Sequence, residues 1–260
     1  MNNNNYEVPD LIGTLSGDIE RDFKKVISIF KTQSSIQSSV LETDIVNSLR
    51  QMHDILYIYR SISNDLLLDK HKDAQTLFAL NYHLLIITLI FILKSDEYAT
   101  FFLLRGSLEA SIKATQHLNG YDSTNSFSNN LEQTTKKIKN NLIVGNNINS
   151  KKRNDIKKSI NKFAKYGREE LYGSLSNKIH IREDIISVPS VYLNDFFGPI
   201  SSIKQELSSL FVIIVEYETV FTMLNIDALR LNKISNSKIE YFRSKYTNFK
   251  YLIDLVMKLL

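Results

Sequence analysis

Residues 41–69 read LETDIVNSLRQMHDILYIYRSISNDLLLD, and within them Ile45, Leu49, Met52, Leu56, Tyr59 and Leu66 step by four, three, four, three and seven. That spacing returns apolar side chains to one face of a helix, and Thr43 or Asp44 supplies an N-cap. Neither glycine nor proline occurs from Asp18 to Arg105, a run of 88 residues, nor from Ile200 to Leu260, a run of 61. Turns depend on the φ freedom of Gly or the fixed φ of Pro, so stretches this bare of both predict long helices. The whole chain of 260 residues holds 8 Gly and 3 Pro, too few for the many turns of a sandwich or barrel.

The spacing predicts helices at about 18–32, 41–69, 73–94, 96–118, 130–142, 151–180 with a break near Gly167, 200–226 and 236–258. The fold expected is an all-α, single-domain bundle of about seven to nine helices over 18–260. Residues 1–17 are expected to form a disordered or extended tail, and about 130–168 a basic helical insertion. The most apolar run, Leu84 to Leu93, is ten residues long and bounded by His83 and Lys94. It falls short of the roughly 20 needed to cross a bilayer, so helix 73–94 is expected at the centre of the bundle, touched on every side. With no Cys there is no disulfide, thiolate metal site or cysteine nucleophile. The Asn-rich start lacks a basic and an apolar signal region, so a cytoplasmic protein is expected.

Charge is uneven. Residues 133–168 contain Lys136, Lys137, Lys139, Lys151, Lys152, Arg153, Lys157, Lys158, Lys162, Lys165 and Arg168 against one acid, Asp155, in a chain whose formal net charge is +4. Ile156, Ile160 and Phe163 give this segment a narrow apolar stripe for docking, which turns Lys151, Lys158, Lys162 and Lys165 outward. Such a face attracts RNA, DNA or a nucleoprotein partner through phosphate, without reading bases. A solvated surface of the same composition is the plain alternative.

A second constellation is polar residues in apolar surroundings. Arg105 and Glu109 lie one turn apart beside Phe101, Phe102, Leu108 and Ile112, and a charge there needs a partner. Tyr172, Ser176 and His180 step by four on a second helix. If the two faces meet, His180 with Glu109 forms a titrating site, or the group forms a network that fixes register. His53, His71, His83 and His117 have no metal-ligand spacing, and no P-loop, dinucleotide fingerprint, G-x-S-x-G or H-E-x-x-H motif is present, so neither metal nor cofactor is expected.

Leu104-Arg105-x-x-x-Glu109, a basic linker, and Tyr172-x-x-Leu175-Ser176-x-x-x-His180 together resemble a group of all-α bacterial proteins. Over about residues 75–185 they are also similar to the HEPN superfamily of helical proteins. That resemblance implies a prokaryotic anti-phage defence or mobile-element context, and a metal-independent ribonuclease as the enzymatic alternative. HEPN ribonucleases carry an Arg separated from a His by four to six residues. Here His180 alone matches, since 173–175 are Gly, Ser and Leu. The leading expectation is a non-enzymatic nucleic-acid-binding protein. A third reading is an interaction scaffold or homo-oligomer paired through helices 41–69 and 236–258.

Overall fold

In the computed structural model, residues 11–32, 43–66, 72–144, 150–180, 204–225 and 234–257 are described. All their regular structure is helical: α1 (Leu11–Thr32), α2 (Thr43–Leu66), α3 (Lys72–Leu93), α4 (Glu97–Leu118), α5 (Phe127–Val144) and α6 (Ser150–Tyr166) come first. A π-helical segment (Gly167–Gly173) joins α6 to α7 (Ser174–His180), so that 150–180 is one rod. Then follow α8 (Gln205–Leu224), α9 (Asn236–Lys245) and α10 (Lys250–Met257). Counting the rod once, nine helices stand among the described residues, and the all-α bundle is as expected.

The long helices begin and end where local chemistry requires. Ser95 takes φ of 55° in the tight turn after α3, and Asp96 then accepts the Ala99 N–H at 2.9 Å to cap α4. The apolar stripe of α2 is buried as its spacing predicts, with Leu49, Met52, Ile55 and Ile58 sealed against α8 and its neighbours. On α8, every residue from Ile214 to Leu224 is buried.

Four expectations need correction. Helix α1 starts at Leu11, so residues 11–17 are no tail. Leu15, Ile19 and Phe23, four apart, bury one face and carry the helix through Gly13 and Gly17. Helix α3 is not enclosed, for its most apolar stretch is 33% buried against 78% for that of α8. It packs chiefly along α4, and Leu80, Ile86 and Ile90 face outward, joined by Phe102 of α4. Both helices are long and apolar enough to cross a membrane by length and composition. Third, 236–258 is two helices. Asn248 Nδ2 and the Phe249 N–H donate to the buried Glu216 carboxylate at 2.6 and 3.1 Å, which satisfies the backbone at the start of α10 from α8. The apolar faces of α9 and α10 (Ile239, Phe242, Leu252, Ile253) are covered within the chain. Last, the expected break near Gly167 is a widened turn within a continuous rod.

The glycine that opens that turn has a visible cause. A Cβ built at Gly167 would lie 2.1 Å from the Tyr217 hydroxyl and 2.3 Å from its ring. Only a glycine lets α8 approach the rod this closely. Phe163 stacks on Tyr217 with centroids 4.3 Å apart and meets Phe249 edge-on at 5.0 Å.

Candidate nucleic-acid interface

The basic segment is built on α5 and α6, which pack on each other, while α5 also lies against α4. Ile156, Ile160 and Phe163 are buried, as the docking stripe requires, together with Leu131 and Ile138 of α5. With that stripe turned inward, Lys151, Arg153, Lys157, Lys158, Lys162 and Lys165 are exposed on α6, and Lys136 on α5. Lys137 and Lys139 are half-buried. The side chain of Lys152 lies outside the described residues. Between the two helices runs a groove of about 310 Å³, lined by Lys136, Lys139, Lys165 and Arg168 together with Glu132 and Asn161.

Acids just beyond the basic run temper part of this face. Glu132 pairs with Lys136 at 2.8 Å, and Glu169 with Lys165 at 3.5 Å and Arg168 at 3.1 Å. The Lys136 ammonium holds the Glu132 carboxyl below the usual range. Taken over 132–170, eleven basic side chains face four acids rather than one. Lys151, Lys157, Lys158 and Lys162, nearer the start of α6, have no acidic partner among the described residues. The available cationic surface is therefore concentrated on α6, from Lys151 to Lys162.

The second constellation comes together in part. Arg105 donates from Nε and Nη2 to the Tyr172 hydroxyl at 3.2 and 3.0 Å, and that hydroxyl donates to Glu109 Oε1 at 2.7 Å. Tyr172 lies flat on Phe127 with ring centroids 3.8 Å apart. Burial raises the Tyr172 pKa, and the bond to Glu109 adds to this while Arg105 opposes it. Ser176 does not join, since its hydroxyl donates to the Tyr172 carbonyl on its own rod at 2.8 Å. His180 ends α7, and its side chain lies outside the described residues, as does His71.

Sequence reasoning missed two polar sites. Glu218, wholly buried on α8, accepts from Asn81 Nδ2 at 3.0 Å and sits 2.9 Å from Ser107 Oγ. Ser107 has one hydroxyl proton and also lies 2.9 Å from the Leu104 carbonyl. If that proton goes to the carbonyl, a neutral Glu218 completes the set by donating to Ser107. Burial, only partly offset by Asn81 and Ser107, pushes its pKa up to about 7. Its signal in the sequence is a pair of carboxylates, Glu216 and Glu218, inside a largely apolar stretch of helix. The other site is a polar cleft beside α5, lined by Gln116, Tyr121, Lys136, Lys137 and Asn225. Nothing in their spacing links these residues.

Of the other histidines, His53 is buried between Asp22 (3.0 Å) and Asp54 (3.3 Å), joining α1 to α2. No group of three or more metal-ligating side chains converges among the described residues. Compared with family models, curated proteins and solved structures, the chain gives no match.

Proposed function

We propose that this protein binds nucleic acid through phosphate contacts from α6 and the adjoining edge of α5. The observation that carries the reading is the division of α6 into a buried stripe of Ile156, Ile160 and Phe163 and six exposed cations. Lys151, Lys158, Lys162 and Lys165 lie along one flank and Arg153 and Lys157 on the other, four of the six without acidic partners among the described residues. A docked helix holds its lysines in place, which lets several phosphates be contacted together, and such contacts carry no base sequence. A nucleoprotein partner would present the same phosphates. The prokaryotic defence context implied by the HEPN resemblance belongs to this proposal and rests on that resemblance alone. The Arg105–Tyr172–Glu109 set is read as a network that fixes the rod against α4, because each of its groups is paired within the chain.

Salt titration tests the reading. With four to six phosphate contacts, log K falls against log salt with a slope of about −3 to −5. Replacing Lys151, Lys158, Lys162 and Lys165 by Gln should flatten the slope by about three units at unchanged Tm, equally for RNA and DNA of unrelated sequence. Equal binding by this variant and the parent at every salt concentration would falsify the proposal.

A further inference from the structure

Neither Phe, Tyr nor Trp occurs from Ser128 to Lys162, a run of 35 residues that takes in almost the whole basic segment. The next ring, Phe163, is buried in the docking stripe, stacked on Tyr217 and edge-on to Phe249. The exposed side of α6 therefore offers cations and amides and no aromatic ring. Proteins that hold single strands combine a charged groove with rings on which successive bases stack, each ring worth about tenfold or more in affinity. The α5–α6 groove does not fill that role. No ring lines it, and its Lys136, Lys165 and Arg168 are held by Glu132 and Glu169.

The clear cations have a different shape. At 100° and 1.5 Å per residue, Lys151, Lys158 and Lys162 fall within a sector of about 40° and span about 17 Å of the helix axis. None of the three has an acidic partner among the described residues. The stripe of Ile156, Ile160 and Phe163 fixes the helix to the body, so these lysines form a straight, convex ridge and not a channel. A duplex suits such a ridge. It is stiff over far more than this length, with a persistence of about 150 base pairs. It also presents one charge per about 1.7 Å of axis, against about 3.4 Å for one of its strands. Two stiff partners lose little freedom on meeting. A flexible single strand must be ordered along the ridge, and with no ring to stack on, only charge offsets that cost.

We infer that the α6 ridge selects double-stranded nucleic acid over single strands, through the phosphates of the duplex. This rests on the nucleic-acid reading of the basic face and adds the strand class to it. Short duplex DNA, duplex RNA of the same sequence, and separated strands chosen free of self-pairing are titrated with the full chain by anisotropy at several salt concentrations. A duplex of either backbone should bind about tenfold more tightly than its separated strands. Its slope should also be steeper, since each contact contributes about 0.9 on B-form DNA and about 0.7 on a single strand. The four-lysine variant should lose both the slope and the preference. Asn154, exposed one turn before Lys158, provides the reverse test. Asn154→Trp adds the missing ring and should raise single-strand affinity about tenfold at unchanged Tm. Separated strands that bind the parent as tightly as both duplexes, with the slope still lost in the four-lysine variant, overturn the inference and leave the basic face standing. No gain for single strands in Asn154→Trp also overturns it, because stacking is then not what they lack. Equal binding of every probe by the parent and the four-lysine variant overturns the basic-face reading itself.

Discussion

Glu218 sets a pH dependence that can be signed. Its pKa is about 7 in the folded chain against an ordinary 4.5, so its contribution is complete below about 4.5 and is lost as pH rises through 7. A shift of this size corresponds to about 3 kcal/mol. Glu218→Gln, which keeps the shape without the charge, should therefore raise Tm at pH 8 and change it little at pH 5. His53 acts in the same sense. Burial works to lower its pKa, but hydrogen bonds and charge from Asp54 and Asp22 outweigh this and raise it. Its contribution is complete below about 6.5 and is lost as pH climbs through the higher folded value. In His53→Gln the fall in stability from pH 6 to 8 should be shallower, as thermal melts across that range would record.

Among the elements, the π turn offers the sharpest test. Gly167→Ala places a methyl against a fully buried ring and should destabilise by about 3 kcal/mol in chemical denaturation. Adding Tyr217→Phe should not restore stability, because the ring carbon itself stands 2.3 Å from the new methyl. Tyr217→Phe alone should be neutral or slightly stabilising, since that hydroxyl has no hydrogen-bond partner. Tyr172→Phe leaves Arg105 and Glu109 without their shared hydroxyl and should cost about 1 kcal/mol, read from the same titrations. These two positions differ in how much the sequence revealed. Arg105 and Glu109, one turn apart in apolar company, announced that a partner was needed, and the four-residue steps from Tyr172 proposed it. Gly167 was legible only as a break, because what requires a glycine there is Tyr217, fifty residues later on another helix.

For the whole molecule, continuous packing of α2, α4 and α8 predicts one cooperative unfolding transition, with calorimetric and van't Hoff enthalpies equal. Helical class was legible because scarce Gly and Pro and the 3.6-residue period are local properties. Which helix would be enclosed was not. Hydropathy favours α3, yet enclosure went to α8, whose Glu218 finds donors 137 and 111 residues away in sequence. Apolar content says that a helix seeks cover, and only the assembled chain says how much it receives. The rod 150–180 adds a constraint of another kind. Its π segment winds more than 3.6 residues into each turn, so it shifts the phase between the lysine row before it and Tyr172 near its end. Rewinding all of its residues as plain α-helix would turn everything after it by about 100°, swinging Tyr172 away from Arg105 and Glu109. Loss of one residue at exposed Glu169 would instead let the rod wind as plain α-helix with that phase nearly kept. In this stretch of the gene, loss of one codon should therefore be tolerated better than gain of one, which adds a further turn of about 100°.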